Sequence, residues 1–285
     1  MGHEGGRLLR HALCACVLML PLLSPAVTTV IYPRPEADSD RRSQYPARLL
    51  ELALERANSQ FRVQRSDVRM QQGRALLMLR QGKGIDIVCF MTSAERETSM
   101  LPIRIPIDKG LIGWRLLLVN KERAGTPGWT DLDQLKQLRA GQGSDWPDFD
   151  ILRANGFKVH GTSNYEGLFT MLAQGRIDYF PRSVNEIWSE ADMHSQELAV
   201  EPSIVLRYPS ASYYFVRKGN EKLAADVTAG LEKMIADGSF DKLFLEYYGD
   251  LLKRSGLKER RIIDLRNPLL PDGIPALRQH LMYRE

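Results

Sequence analysis

Cysteine is scarce in this chain of 285 residues, which has only three. Cys14 and Cys16 lie in an apolar leader, so after its removal only Cys89 remains and an intrachain disulfide is excluded. Cys89 falls in an apolar stretch and reads as a small core hydrophobe, not a nucleophile. Histidine is also scarce. Past residue 26 only His160, His194 and His280 are left, without metal-ligand spacing or the neighbours of a nucleophilic constellation. No apolar run reaches the roughly 20 residues of a membrane-spanning helix. Neither sign of charge dominates. The net charge is +4, of which Arg7, Arg10 and Glu4 supply +1, leaving +3 spread along the rest. That excludes the basic footprint of a nucleic-acid binder. Pairs such as Arg41-Arg42 and Arg260-Arg261 read as solvated faces. Internal repeats and low-complexity tracts are missing too.

What is present is an ordinary globular composition, 44% hydrophobic and 26% charged, long enough for one large domain or two. The amino terminus has the form of a cleavable targeting segment. Arg7 and Arg10 make a charged region, Ala12 to Leu23 a short apolar core, and Ser24-Pro25-Ala26 supplies small residues for cleavage after Ala26. The expected product is an exported protein.

Past the leader, Thr28 to Pro33 reads as a strand rich in β-branched residues. Leu50, Ala53, Leu54 and Ala57 fall at helical spacing, Phe61 to Val63 reads as a second strand, and Gln71 to Arg80 as a helix ended by Gly82. Ile85 to Phe90 is a short apolar run, read as a buried strand. The alternation of strand and helix argues for a parallel α/β unit. Leu111 to Val119 reads as a long strand, and Gly125-Thr126-Pro127-Gly128 as a turn or linker. A second α/β series follows, with helix starts at Thr130 and Ser163 and strands at Arg139 to Gly141, Phe157 to Val159 and Ile177 to Phe180. Ser210 to Val216 reads as the last clear strand. Two helices come after it, then an irregular tail from Arg266.

The chemistry concentrates where the run Ile85 to Phe90 opens into Met91-Thr92-Ser93-Ala94-Glu95-Arg96. In an open α/β sheet, ligands sit in the crevice at the carboxyl ends of strands. There Arg96 presents a fixed fork of donors that matches a carboxylate. Ser144 follows a Gly-rich turn before a helix, where its hydroxyl and the next N–H can hold an anion or simply cap the helix. Tyr32 and Trp146 offer aromatic walls.

These stretches resemble the extracellular solute-binding proteins of polar amino-acid ABC transporters (family 3). Ser93-Ala94-Glu95-Arg96-Glu97 is similar to that family's Thr-x-x-Arg-Glu after a strand. Asp131-Leu132 through Gly143-Ser144 is similar to its entry into the second lobe. Leu172 through Asp178 resembles its Leu-x-x-Gly-x-x-Asp, and Asp237-Gly238 through Leu243 its carboxyl-terminal Asp-Gly-x-x-x-x-Leu.

The resemblance implies an α/β, two-lobed periplasmic-binding-protein type II fold, each lobe a mixed sheet flanked by helices. The chain would cross between lobes near residues 119–123 and 210–215. Residues 1–26 would be the signal peptide, 27–120 plus 213–285 lobe one, and 121–212 lobe two. It further implies a monomeric periplasmic protein that captures a small polar or anionic, amino-acid-like solute and passes it to an ABC permease or shows it to a membrane receptor. No cofactor, metal or nucleic acid is expected. The ligand-binding residues would be Thr92, Ser93, Arg96, Ser144, Tyr32, Trp146, Arg182 and Glu186.

One departure stands out. The family's amine-binding aspartate falls at Ser183, beside Arg182. Either Glu186 replaces that acid or the ligand is not an ordinary α-amino acid. Arg182 with Arg96 would suit a doubly anionic solute, unless Arg182 pairs with Glu186 at i, i+4. The alternative to binding is an enzyme on the same scaffold, dehydratase-like, with Glu186 or Glu95 as general acid or base.

Overall fold

The computed structural model describes residues 2, 27–126, 129, 131–270 and 278–284. The cleavage point expected at Ala26, with the leader expected before it, and the helix start expected at Thr130 lie outside the described residues. Among the described residues no helix is long and apolar enough to cross a membrane.

The chain opens with β1 (Thr28–Arg34), α1 (Gln44–Arg56), β2 (Phe61–Arg69) and α2 (Gln72–Gln81). β1 and β2 are parallel, with Thr28 opposite Phe61. α1 buries Leu49, Leu50, Ala53 and Leu54, and each fully buried leucine contributes about 1.5–3 kcal/mol. α2 ends at Gly82, whose φ of 65° suits a glycine C-cap. Next come β3 (Ile87–Met91), the short α3 (Ala94–Ser99) and β4 (Leu101–Ile103). The expectation of a parallel unit fails at this point. β3 pairs antiparallel with a strand more than 120 residues further on, as described below, and a pairing so distant leaves no local mark.

The long strand expected from Leu111 begins three residues later. Leu111–Gly113 is a 3₁₀ turn, and β5 is Trp114–Asn120. α4 (Leu132–Gln137) is capped by Asp131, whose Oδ1 accepts from Asp133 N and Gln134 N at 2.9 and 3.0 Å. β6 (Arg139–Gly143), α5 (Pro147–Ala154), β7 (Lys158–Thr162) and α6 (Tyr165–Ala173) follow. The cap of α6 is Asn164, not Ser163: its Oδ1 accepts from Gly167 N at 3.0 Å. β8 (Tyr179–Ser183) leads into α7 (Val184–Met193), then β9 (Leu198–Val200), β10 (Ile204–Arg207) and β11 (Ser212–Val216). Finally α8 (Glu221–Ala236) and α9 (Ser239–Ser255) precede β12 (Arg261–Asp264), so β11 is not the last strand.

These strands make two bodies. β11 lies between β3 and β4, antiparallel to both, beside the β1–β2 pair; Ile31 and Asp86 join the two through hydrogen bonds of 2.8 and 2.9 Å. The larger sheet runs β12-β10-β5-β8-β6-β7, with β9 also on β5. β5 and β12 are members of this sheet: Arg115 to Val119 pair with Ser183 to Tyr179, and β12 lies parallel to β10. The tail is less loose than its composition suggests, since Tyr283 N donates to Lys109 O at 2.8 Å and its ring meets Trp114 edge-on. On the smaller body α8 packs against α1 at Gly230, where a Cβ would stand 1.8 Å from Ala53 O. Only glycine permits that approach.

Candidate functional site

A cavity of about 140 Å³ lies between the two bodies. Several bonds tie the two bodies together across the gap. Gly73 N donates to Asp145 Oδ2 at 2.6 Å, Gln71 Nε2 to Ser163 O at 2.7 Å, and Ser39 Oγ to Glu166 Oε1 at 2.7 Å.

On the small-sheet side Tyr32, Tyr45 and Phe90 form aromatic wall. Tyr32 is buried by the alternation of β1, and the guanidinium of Arg65 lies 4.9 Å from its ring centroid. Burial pushes its hydroxyl pKa well up, so it stays neutral. Cys89 is half-buried on this wall, not sealed in the core as its sequence context suggested. Burial raises its thiol pKa as well, which suits a neutral lining group and not a nucleophile.

The opposite wall carries Trp146, stacked on Phe180 at 18° between ring planes, and a buried ionic chain. Arg182, 1% exposed, donates through Nε and Nη2 to Glu190 at 2.7 Å each and reaches Glu186 at 3.2 Å. Arg115 meets Asp148 at 2.6 Å, Glu186 at 3.2 Å and Tyr208 Oη at 2.9 Å. Tyr165 Oη donates to Glu190 at 2.8 Å. Two buried guanidiniums are thus matched by three carboxylates, the condition under which buried charge is tolerated. Arg182 therefore does not stand free beside Arg96 for a second anionic group. Glu186 lines the cavity and caps α7, accepting from Ser183 N at 3.1 Å. Burial alone would raise its pKa, but Arg182, Arg115 and Arg42 together hold it below the usual value. The sequence Ser183-Val184-Asn185-Glu186 has the spacing of a capping box, a signal that the chain itself carried.

Arg96 is 4% exposed at the join between the bodies, behind the cavity wall. Its guanidinium donates to Met91 O at 2.7 Å, Gln72 Oε1 at 2.5 Å and, across the gap, Asp145 O at 3.4 Å. Met91 and Gln72 line the cavity. No carboxylate of the described residues forms an ion pair with it. Burial accordingly brings its pKa down to about 10.

Thr92 and Ser93 are buried but do not line the cavity, and both are already engaged. Thr92 Oγ1 donates to Glu97 at 2.6 Å, and Ser93 Oγ accepts from Arg96 N at 3.3 Å as the cap of α3. Ser144 is misplaced by the sequence reading. It is exposed and outside the cavity, because α5 starts three residues later at Pro147 and Trp146 takes the cap position.

Arg42 runs against the expectation of a solvated face. Its side chain is only 18% exposed and lines the cavity, paired with Asp40 at 2.8 Å and Glu36 at 3.0 Å. Nothing in its local sequence separates it from Arg41. Arg115 was more legible, as a lone cation inside the apolar run Trp114 to Val119.

No family model and no curated protein matches the chain. Solved structures do. An ancestral arginine-binding protein bound to arginine aligns with TM-score 0.59 at 17% identity, over 78% of this chain and 98% of its own. The fold is that of the type II periplasmic binding proteins. The substrate-binding protein of an amino acid ABC transporter aligns with TM-score 0.57 at 13% identity, over 78% of this chain and 100% of its own. An ancestral amino-acid-binding protein, a precursor of cyclohexadienyl dehydratase, aligns with TM-score 0.57 at 16% identity, over 77% and 95%. The two-body arrangement thus matches what the family resemblance implied.

Proposed function

We propose that this is an exported solute-binding protein that closes its two lobes on a small amino-acid-like solute. The observation that carries the reading is a cavity between the two bodies with Arg96 behind its wall, buried and without a carboxylate partner among the described residues. A solute carboxylate would supply the missing counter-charge, and Tyr32 and Trp146 would flank its apolar part. The leader suits export to the periplasm, and presentation of the closed form to an ABC permease or a membrane receptor would complete the role.

For Glu186 the electrostatics speak against the general-acid half of the enzyme reading. A general acid at neutral pH needs a raised pKa. Glu186 is held low by its arginines, and Glu95 is an exposed carboxylate, 66% open, paired with Arg80 at 2.8 Å.

A thermal-shift screen of the purified protein against the twenty L-amino acids, succinate and sulfate tests the proposal. A solute at a hundred times its Kd adds about 2.7 kcal/mol of stability. The expected result is a raised melting temperature with a small amino acid. A flat screen would refute solute capture.

A further inference from the structure

We propose that the solute site is partly occupied by the protein itself. The guanidinium of Arg42 fills an aromatic and acidic box that would otherwise receive the basic side chain of a solute. This rests on the solute-binding reading above and adds which solutes the site admits. The guanidinium carbon lies 4.2 Å from the ring centroid of Tyr165 and 5.3 Å from that of Trp146, both on the large-sheet side. Its nitrogens donate to Asp40 Oδ1 at 2.8 Å, Asp40 Oδ2 at 2.9 Å and Glu36 Oε1 at 3.0 Å, both residues on its own loop.

A planar fork over π faces with carboxylates at its edge is how a guanidinium ligand is recognised. Here the ligand is tethered. The loop between β1 and α1 brings it across the gap and is held in shape by Arg42 N donating to Asp40 Oδ1 at 3.0 Å.

The consequence is a limit on size. The space left is about 140 Å³, close to the roughly 150 Å³ of a cavity that admits benzene. A compact amino acid fits that space more readily than L-arginine, whose long side chain needs the room that Arg42 takes. Arg42 is therefore a specificity-determining residue: it rejects long basic solutes by taking the place of their side chains.

The test is calorimetry and thermal shift with methylguanidinium and L-arginine on the wild type and on Arg42→Ala. The expected result is that the variant binds both probes at least about tenfold more tightly than the wild type, and that adding Tyr165→Leu removes the gain. If Arg42→Ala does not fold, Arg42→Gln, which keeps the apolar stem and removes the charge, takes its place in the same titrations. Equal response of variant and wild type to both probes would overturn the proposal. So would a gain for methylguanidinium without one for L-arginine, since the box would then not govern the solute. Failure of the solute-binding reading looks different: the wild type is stabilised by no amino acid, while the variant still gains methylguanidinium.

Discussion

Replacing Glu190 with glutamine should unfold this protein several degrees earlier, although the two side chains have the same shape. Glu190 is 1% exposed and takes two hydrogen bonds of 2.7 Å from Arg182 and one of 2.8 Å from Tyr165. A glutamine offers one acceptor oxygen in place of two and turns an amide N–H toward the guanidinium. Removing one partner of a buried ion pair costs about 3–5 kcal/mol, because the other charge stays in the interior. Arg182 keeps Glu186 at 3.2 Å, so the lower end applies, about 3 kcal/mol. With an unfolding entropy of about 2.1 cal/mol/K per residue over roughly 250 residues, that is a fall of about 6 °C in Tm. Thermal unfolding followed by circular dichroism measures it. The control is the double variant Arg182→Met/Glu190→Leu, which removes both charges and should cost less than Glu190→Gln alone. A fall under about 2 °C for the single variant, or a double variant costing more than it, would refute the reasoning.

Three further outcomes follow from the same geometry. Arg96→Ala should leave the circular dichroism spectrum unchanged and weaken binding of the solute found by screening about a hundredfold, through loss of charge-assisted hydrogen bonds; unchanged affinity in calorimetry would remove Arg96 from the site. Asp108 accepts from Ser212 Oγ at 2.6 Å and Gly110 N at 3.0 Å, forms no ion pair with the described residues, and burial raises its pKa. A carboxyl with a raised folded pKa favours folding below its unfolded value, and that contribution is lost as pH rises through the folded one. Asp108→Asn should therefore gain in melting temperature relative to wild type from acid to neutral pH, and a flat difference would contradict this. Gly230→Ala gains about 1 kcal/mol of helix propensity, yet its Cβ would stand 1.8 Å from Ala53 O. Forcing α1 from α8 should lower stability by about 1–3 kcal/mol net, and a higher melting temperature would contradict the packing argument.

The candidate site was legible where chemistry and position coincide locally. Arg96 follows a strand and is buried at the join between the bodies, though behind the cavity wall and not in it. Trp146 and Tyr32 line the cavity as their place at loop and strand ends suggested. Ser144 was misplaced because a Gly-Ser pair does not reveal that the helix waits until Pro147. Arg42 was misjudged, and Arg182 was left open between a free cation and the partner of Glu186 that it is, for a common reason. Whether an arginine is solvated, paired or stacked depends on Asp40, Glu190, Tyr165 and Trp146, and for Arg42 the two aromatic residues lie more than a hundred positions away.

Local information marked most of the helices and strands of this protein, though not β4, β9, β10 or β12, because apolar spacing, caps and glycine stops act within a few residues. Gly82 and the apolar positions of α1 are examples. The alternation of the two kinds of element was enough to mark an α/β protein. Only the tertiary structure decided that β3 would pair with β11, that β5 and β12 would join the larger sheet, and that Arg42 would cross the gap. Those outcomes depend on which distant groups can satisfy one another once water is excluded, and a linear sequence does not display that distance.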